Sequence, residues 1–337
     1  MVKLSALAAA AALFVMIAPA AQAQPCGAAA ICGLHNPEDV VAIDGGRWAI
    51  ASRLTGDAPG GFDLIDLRAR TARTLAPDVS HPAANSHETP PDPAKMVTHG
   101  LALHRGPGGR LELLAIDHGG RQAVERFEVQ VRGSSVSLRW LGSVPIPADV
   151  QANAVTALPD GLAVTSFGTA DDPKMTALLA GRPAGFVAIW SAAQGWRKLP
   201  GSEVPGDNGL EAALDGRELY VNAWGSGTLY VLPLRPGARR RTVALGDFHP
   251  DNIHRGADGS LVVAGQVGTA DSILACSATP CPVGSAVVRL DSRARRVIQR
   301  LTIPASGEFG AASVAVPDGS GYWLGSFLSD RLVRVPG

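Results

Sequence analysis

The chain has 337 residues, with 30 basic and 30 acidic side chains that cancel to a formal charge of zero. That balance removes the electrostatic case for nucleic acid or an anionic membrane surface as a partner. Charged residues are sparse at 18%, while glycine (39) and proline (25) are plentiful, which argues against long helices and for many short strands and turns.

The first segment is not read as part of the fold. Lys3, the Ala-rich apolar run from Leu4 to Pro19 and the small-residue site Ala21-Gln22-Ala23 form a secretory signal peptide over 1–23. A single domain over 24–337 follows. The apolar run is short and no second span follows it, so a stable membrane anchor is not expected. The product should be exported, periplasmic or secreted. Export permits disulfides, and the cysteines pair closely in sequence as Cys26 with Cys32 and Cys276 with Cys281. Each pair is expected to close a small loop, since neither has redox or zinc spacing.

Strand–turn–strand units then recur. The first runs Asp39–Ile43, turns at Asp44-Gly45-Gly46 and returns over Trp48–Ala51. The second joins Gly100–Leu103 to Leu111–Ile116, and the third joins Ala154–Leu158 to Leu162–Thr165 through Pro159-Asp160-Gly161. Leu210–Ala213 with Leu219–Asn222, Ile253-His254 with Leu261–Ala264, and Ser313–Val316 with Tyr322–Gly325 complete the series. Each pair is followed by a third strand-like run, such as Phe62–Asp66 or Ala286–Leu290. Tight Asp-Gly turns are hairpin signals, and six units of one chemistry predict an all-β, six-bladed β-propeller. A β-sandwich is the weaker alternative. Two insertions interrupt the rhythm. Asp78–Lys95 is polar and Pro-rich, and Asp171–Pro183 carries one or two helical turns at Met175–Ala180. Both are lid candidates as well as ordinary surface insertions.

In a propeller the first strand of each blade lines the central channel, so residues at those strand starts converge. Here they are Glu38, His99, Asn153, Asn208 and the pair Asp251-Asn252, while the sixth unit offers only Ala311, Ala312 and Ser313. An Asx residue alone is usually a turn former. Two carboxylates and three carboxamides on one repeat phase instead make an oxygen-rich set. Such a set suits calcium, with magnesium or manganese also compatible. His99 reads as a neighbour of that set. His249 would shape the wall, and no Gly-x-Ser-x-Gly elbow supports a serine nucleophile.

At Glu38-Asp39, Thr98-His99-Gly100-Leu101, Asn153, Asp207-Asn208-Gly209 and Asp251-Asn252 the chain resembles the paraoxonase/arylesterase family. It also resembles the broader gluconolactonase and senescence-marker-protein propellers. The resemblance covers nearly the whole mature chain. It implies one catalytic Ca2+ held by Glu38, Asn153, Asn208, Asp251 and Asn252, with His99 and His118 as a catalytic dyad. The family's second, structural calcium is placed in doubt by Ala154, where a carboxylate would stand. The family's disulfide between chain ends is absent, since no cysteine follows Cys281. The implied activity is calcium-dependent hydrolysis of a small-molecule lactone or ester, arylesters included. The metal would polarise the carbonyl, and water would be activated by His99 with His118, by Asp251 or, less directly, by His254. A non-catalytic propeller that binds a ligand or protein and keeps calcium as a staple is the alternative. A strictosidine-synthase-like propeller is disfavoured, because its relatives lack these ligands.

Overall fold

The sequence pattern closes into six four-stranded antiparallel sheets arranged around one axis. This computed structural model describes residues 26–337 except 28, 44–45, 56–59, 81–88, 170 and 173–174. The expected signal peptide, part of the first turn and the His81–His87 part of the first insertion lie outside the described residues. Blade 1 comprises β2 (Val40–Ala42), β3 (Trp48–Ser52), β4 (Phe62–Asp66) and β5 (Thr71–Leu75). Blade 2 comprises β6 (Thr98–Arg105), β7 (Leu111–Asp117), β8 (Ala123–Arg132) and β9 (Ser135–Pro145), and blade 3 β10 (Val150–Leu158), β11 (Gly161–Thr169), β12 (Phe186–Ser191) and β13 (Gly195–Lys198). Blade 4 follows as β14 (Asp207–Ala212), β15 (Glu218–Ala223), β16 (Thr228–Pro233) and β17 (Arg241–Ala244). Blade 5 is β18 (His249–Arg255), β19 (Leu261–Val267), β20 (Gly284–Leu290) and β21 (Val297–Ile303). Blade 6 is β22 (Ala312–Pro317), β23 (Gly321–Ser326) and β24 (Arg331–Pro336), and its outer strand is β1 (Ala30–Cys32) from the other end of the chain. Both expected disulfides are present, Cys26–Cys32 and Cys276–Cys281.

The second strand of each blade is apolar on both faces, because each face meets another blade. In β19, Leu261 and Val263 pack into the layer shared with blade 4, and Val262 and Ala264 into the layer shared with blade 6. The same alternation builds one apolar layer between every neighbouring pair of blades. Burial of one such Leu or Val side chain is worth about 1.5–3 kcal/mol. The core is thus six radial layers around a polar axis.

One irregularity recurs and sets up the site. Five inner strands carry a single extra residue against their partner. It falls between Thr98 and Leu101, Ala152 and Val155, Asp207 and Leu210, Pro250 and Ile253, and Ala312 and Val314. A bulge of this kind bends the strand and re-aims the side chain at the extra position. Those intervals contain His99, Asn153, Asn208, Asp251 with Asn252, and Ser313. The strand expected at Ile253-His254 begins earlier, at His249, so Asp251 and Asn252 lie within the bulged strand β18 itself. Gly100 and Gly209 let neighbouring bulges close up. A Cβ on Gly100 would stand 2.3 Å from the Asn153 carbonyl oxygen, and one on Gly209 2.3 Å from that of Asp251.

Antiparallel order fixes which loops share the site's end of the channel. The inner strand leaves that end and the second strand returns to it. Each loop joining a second to a third strand therefore lies there. These loops hold helices α1 (Thr176–Leu179) and α2 (Ala270–Leu274). Leu178 and Ile273 from these helices pack with Trp224, Ala311 and the Cys276–Cys281 region in a further apolar cluster. The helical turns expected in the second insertion thus form on the site's face.

Candidate functional site

Glu38, Asp251, Asn208 and Asn252 are buried, as the convergence of strand starts requires. Asn252 Nδ2 donates to Glu38 Oε1 at 2.8 Å and to the Glu38 carbonyl at 3.1 Å, which ties blade 5 to blade 1 across the axis. Ser313 Oγ donates to the same carbonyl at 2.6 Å, so the weak sixth position serves as a tie rather than as a free oxygen. His99 Nε2 stands 3.5 Å from Glu38 Oε2. Asn153 lines a cavity of ≈ 440 Å³ with His99, His118, Gln122 and Phe167. The structure therefore brings all seven expected residues to one end of the channel.

Four of the five expected ligands present an oxygen with nothing to bond. Glu38 Oε2, Asn153 Oδ1, Asn208 Oδ1 and Asp251 Oδ1 are buried and lack a hydrogen-bond partner among the described residues. Each such atom costs about 1–3 kcal/mol if left unmet. Burial pushes the Glu38 carboxyl well up, aided by the nearby Asp251 and Asp39 charges and opposed by Asn252. Burial also pushes Asp251 up to about 7, with hydrogen bonds from Gln266 and Asn208 opposing it. Bare oxygens and two disfavoured negative charges fit a cation, and carboxamides with carboxylates fit calcium chemistry. Among the described residues no three His, Cys, Asp or Glu side chains form a metal cluster. A site here therefore depends on the carboxamides.

The two imidazoles meet as well. His99 Nδ1 lies 3.0 Å from His118 Nε2, and His118 Nδ1 lies 2.7 Å from Gln122 Oε1. Burial, then the neighbouring His118, pushes His99 down to about 3. Burial lowers His118 too, and its bond to Gln122 works against that.

The other histidines separate. His254 lines a different cavity, ≈ 400 Å³, bounded by the far ends of the inner strands. Its Nε2 pairs with Asp39 Oδ1 at 2.5 Å. Asp39 Oδ2 accepts from the Leu101 N–H at 2.7 Å and Oδ1 from that of Val40 at 2.8 Å. Both Asp39 oxygens are thus engaged, and the residues do not fit a second, structural cation there. His249 packs on Trp224: its ring lies 4.3 Å from that of Trp224, and its Nδ1 bonds the Trp224 carbonyl at 2.8 Å.

Sequence reasoning missed a second ring of polar residues that supports the first. Ser52 Oγ accepts from the Asp39 N–H, and Asp117 Oδ1 from that of Val97. Thr165 Oγ1 accepts from the Ala154 N–H and donates to the Asn208 carbonyl. Asn222 Nδ2 donates to the Asp251 carbonyl, Gln266 Nε2 to Asp251 Oδ2 and the Ala312 carbonyl, and Ser326 Oγ to the Ala311 carbonyl. All lie at or near the end of a second strand. A polar residue closing each apolar second-strand run is the signal that could have found them.

No family model matches the chain, and no curated protein matches its sequence. Solved structures share its fold. A luciferin-regenerating enzyme is 12% identical at TM-score 0.52, with 92% of each chain covered. A candidate gluconolactonase is 14% identical at TM-score 0.50, covering 92% of this chain and 93% of its own. A virginiamycin B lyase from Staphylococcus aureus, in a catalytically inactive form with quinupristin, is 10% identical at TM-score 0.50, covering 94% of this chain and 98% of its own. At these identities the likeness is one of fold, and fold does not fix function.

Proposed function

We propose that this chain is an exported, calcium-dependent hydrolase of small lactones or esters, aryl esters included. The observation that carries the reading is the set of four buried, unpartnered oxygens on Glu38, Asn153, Asn208 and Asp251, which together with Asn252 would hold the ion. Bound there, calcium would supply Lewis-acid polarisation of a carbonyl and stabilise the oxyanion that forms. The paraoxonase-like assignment rests on the motifs. Two disulfides fit export, and among the described residues no helix is long and apolar enough to cross a membrane.

The protein's own groups order the proton transfer. The Gln122 Oε1 atom accepts, so His118 carries its hydrogen on Nδ1 and leaves Nε2 to accept from His99 Nδ1–H. His99 Nε2 is then bare on the side of Glu38. It takes a proton from the attacking water while the Nδ1 proton passes to His118, so the two rings share a charge that burial makes costly for either alone.

The test is hydrolysis of a panel of aliphatic lactones and aryl esters, with calcium and with chelator. Turnover restored by calcium and absent in Asp251→Ala is the expected result. If calcium raises the melting temperature and no substrate turns over, the protein is a ligand-binding propeller with a stapling ion.

A further inference from the structure

Gln266 is the next-to-last residue of β19 and has no exposed surface. Its Oε1 accepts from Trp224 Nε1–H at 2.9 Å, and its Nε2 donates to Asp251 Oδ2 at 2.7 Å and to the Ala312 carbonyl at 3.0 Å. An indole N–H can only donate, so it fixes which end of the amide is oxygen. Both Nε2 hydrogens are then committed. Trp224 is itself wedged, with its ring centroid 5.8 Å from Phe167 on an edge contact and 4.3 Å from His249.

The consequence falls on Asp251. Its Oδ2 is occupied by the Gln266 amide, and its Oδ1 is buried and bare. The other carboxylate is dressed the same way. Asn252 Nδ2 occupies Glu38 Oε1, and Oε2 is bare. Calcium takes carboxylates through one oxygen or two, and the second oxygen consumes a position that water or substrate could hold. Resting on the metal-site reading above, we infer that Gln266 is a positioning residue that holds Asp251 to single-oxygen coordination and so keeps a place on the cation open for water or substrate.

The experiment loads the full chain with europium(III), shows by calcium competition that the ion occupies this site, and counts bound waters from luminescence decay in H2O and D2O. In Gln266→Leu, Asp251 Oδ2 is released to the ion, and the count should fall by about one, with loss of turnover. Gln266→Met serves if the leucine variant does not fold, with the same expected fall. A variant that binds europium with the wild-type water count overturns the role of Gln266 and leaves the metal site standing. Wild-type protein that binds neither europium nor calcium overturns the metal-site reading, and this inference with it.

Discussion

At the scale of single residues, the site is a balance between side chains that must be bare and side chains that hold them so. The His118 ring hydrogen-bonds His99 and Gln122 and, among the described residues, none of the candidate ligands. His118→Asn should therefore lower turnover by about 10²-fold or more while calcium affinity, measured by calorimetry, stays unchanged. Asp117, one position earlier, gives a pH signature. Its Oδ1 accepts from the Val97 and Gly119 N–H groups at 2.8 Å each, while Oδ2 is buried without a partner among the described residues. Burial is the main cause that pushes this carboxyl up to about 7. The folded chain keeps a proton there that the unfolded chain releases near pH 4. Stability is therefore lost as pH rises from about 4 to about 7, and stays lost above. Asp117→Asn should flatten that decline and raise the melting temperature at pH 8 by about 2–4 °C, read from thermal melts across the range.

At the scale of elements, the bulge is the device that turns a strand start into a candidate ligand. It places one extra residue in the inner strand, and the glycine that follows Asn208 lets the next bulge approach. In Gly209→Ala the new methyl would meet the Asp251 carbonyl oxygen at 2.3 Å, with Ile253 N at 2.8 Å. This crowding against backbone should cost about 1–3 kcal/mol in urea unfolding and weaken calcium binding as well. The strands themselves were legible from their apolar runs and Asp-Gly turns. The bulges were not, because a one-residue register shift changes no composition and becomes visible only when two strands are paired. The Asp207-Asn208-Gly209 triplet could be seen in sequence, but not that its glycine serves contact with another blade.

At the scale of the whole molecule, the ring is closed by the chain's early strand. β1 pairs with β24, with Ile31 opposite Leu332, both fully buried in the layer between blades 6 and 1. Ile31→Ala should cost about 2–5 kcal/mol, as for other buried aliphatic truncations. Equilibrium unfolding followed by tryptophan fluorescence and by circular dichroism checks this, and coincident transitions would show that closure and blade packing are lost together.

Local physics carried much of this protein's design on the sequence itself. Apolar runs that need two covered faces, hairpin turns of one chemistry and polar residues at one repeat phase determined the six blades and six of the seven candidate site residues, while His118 was named only by the family resemblance. What the tertiary structure decided is which atoms of those residues are free. Asn252 and Gln266 each occupy one oxygen of a carboxylate that lies far away along the chain or across a strand pair, and His254 reaches Asp39 from 215 residues away. Hydrogen-bond partners of this kind are set by ring closure and bulge register. No local pattern encodes them, because the partners become neighbours only when the blades meet at the axis.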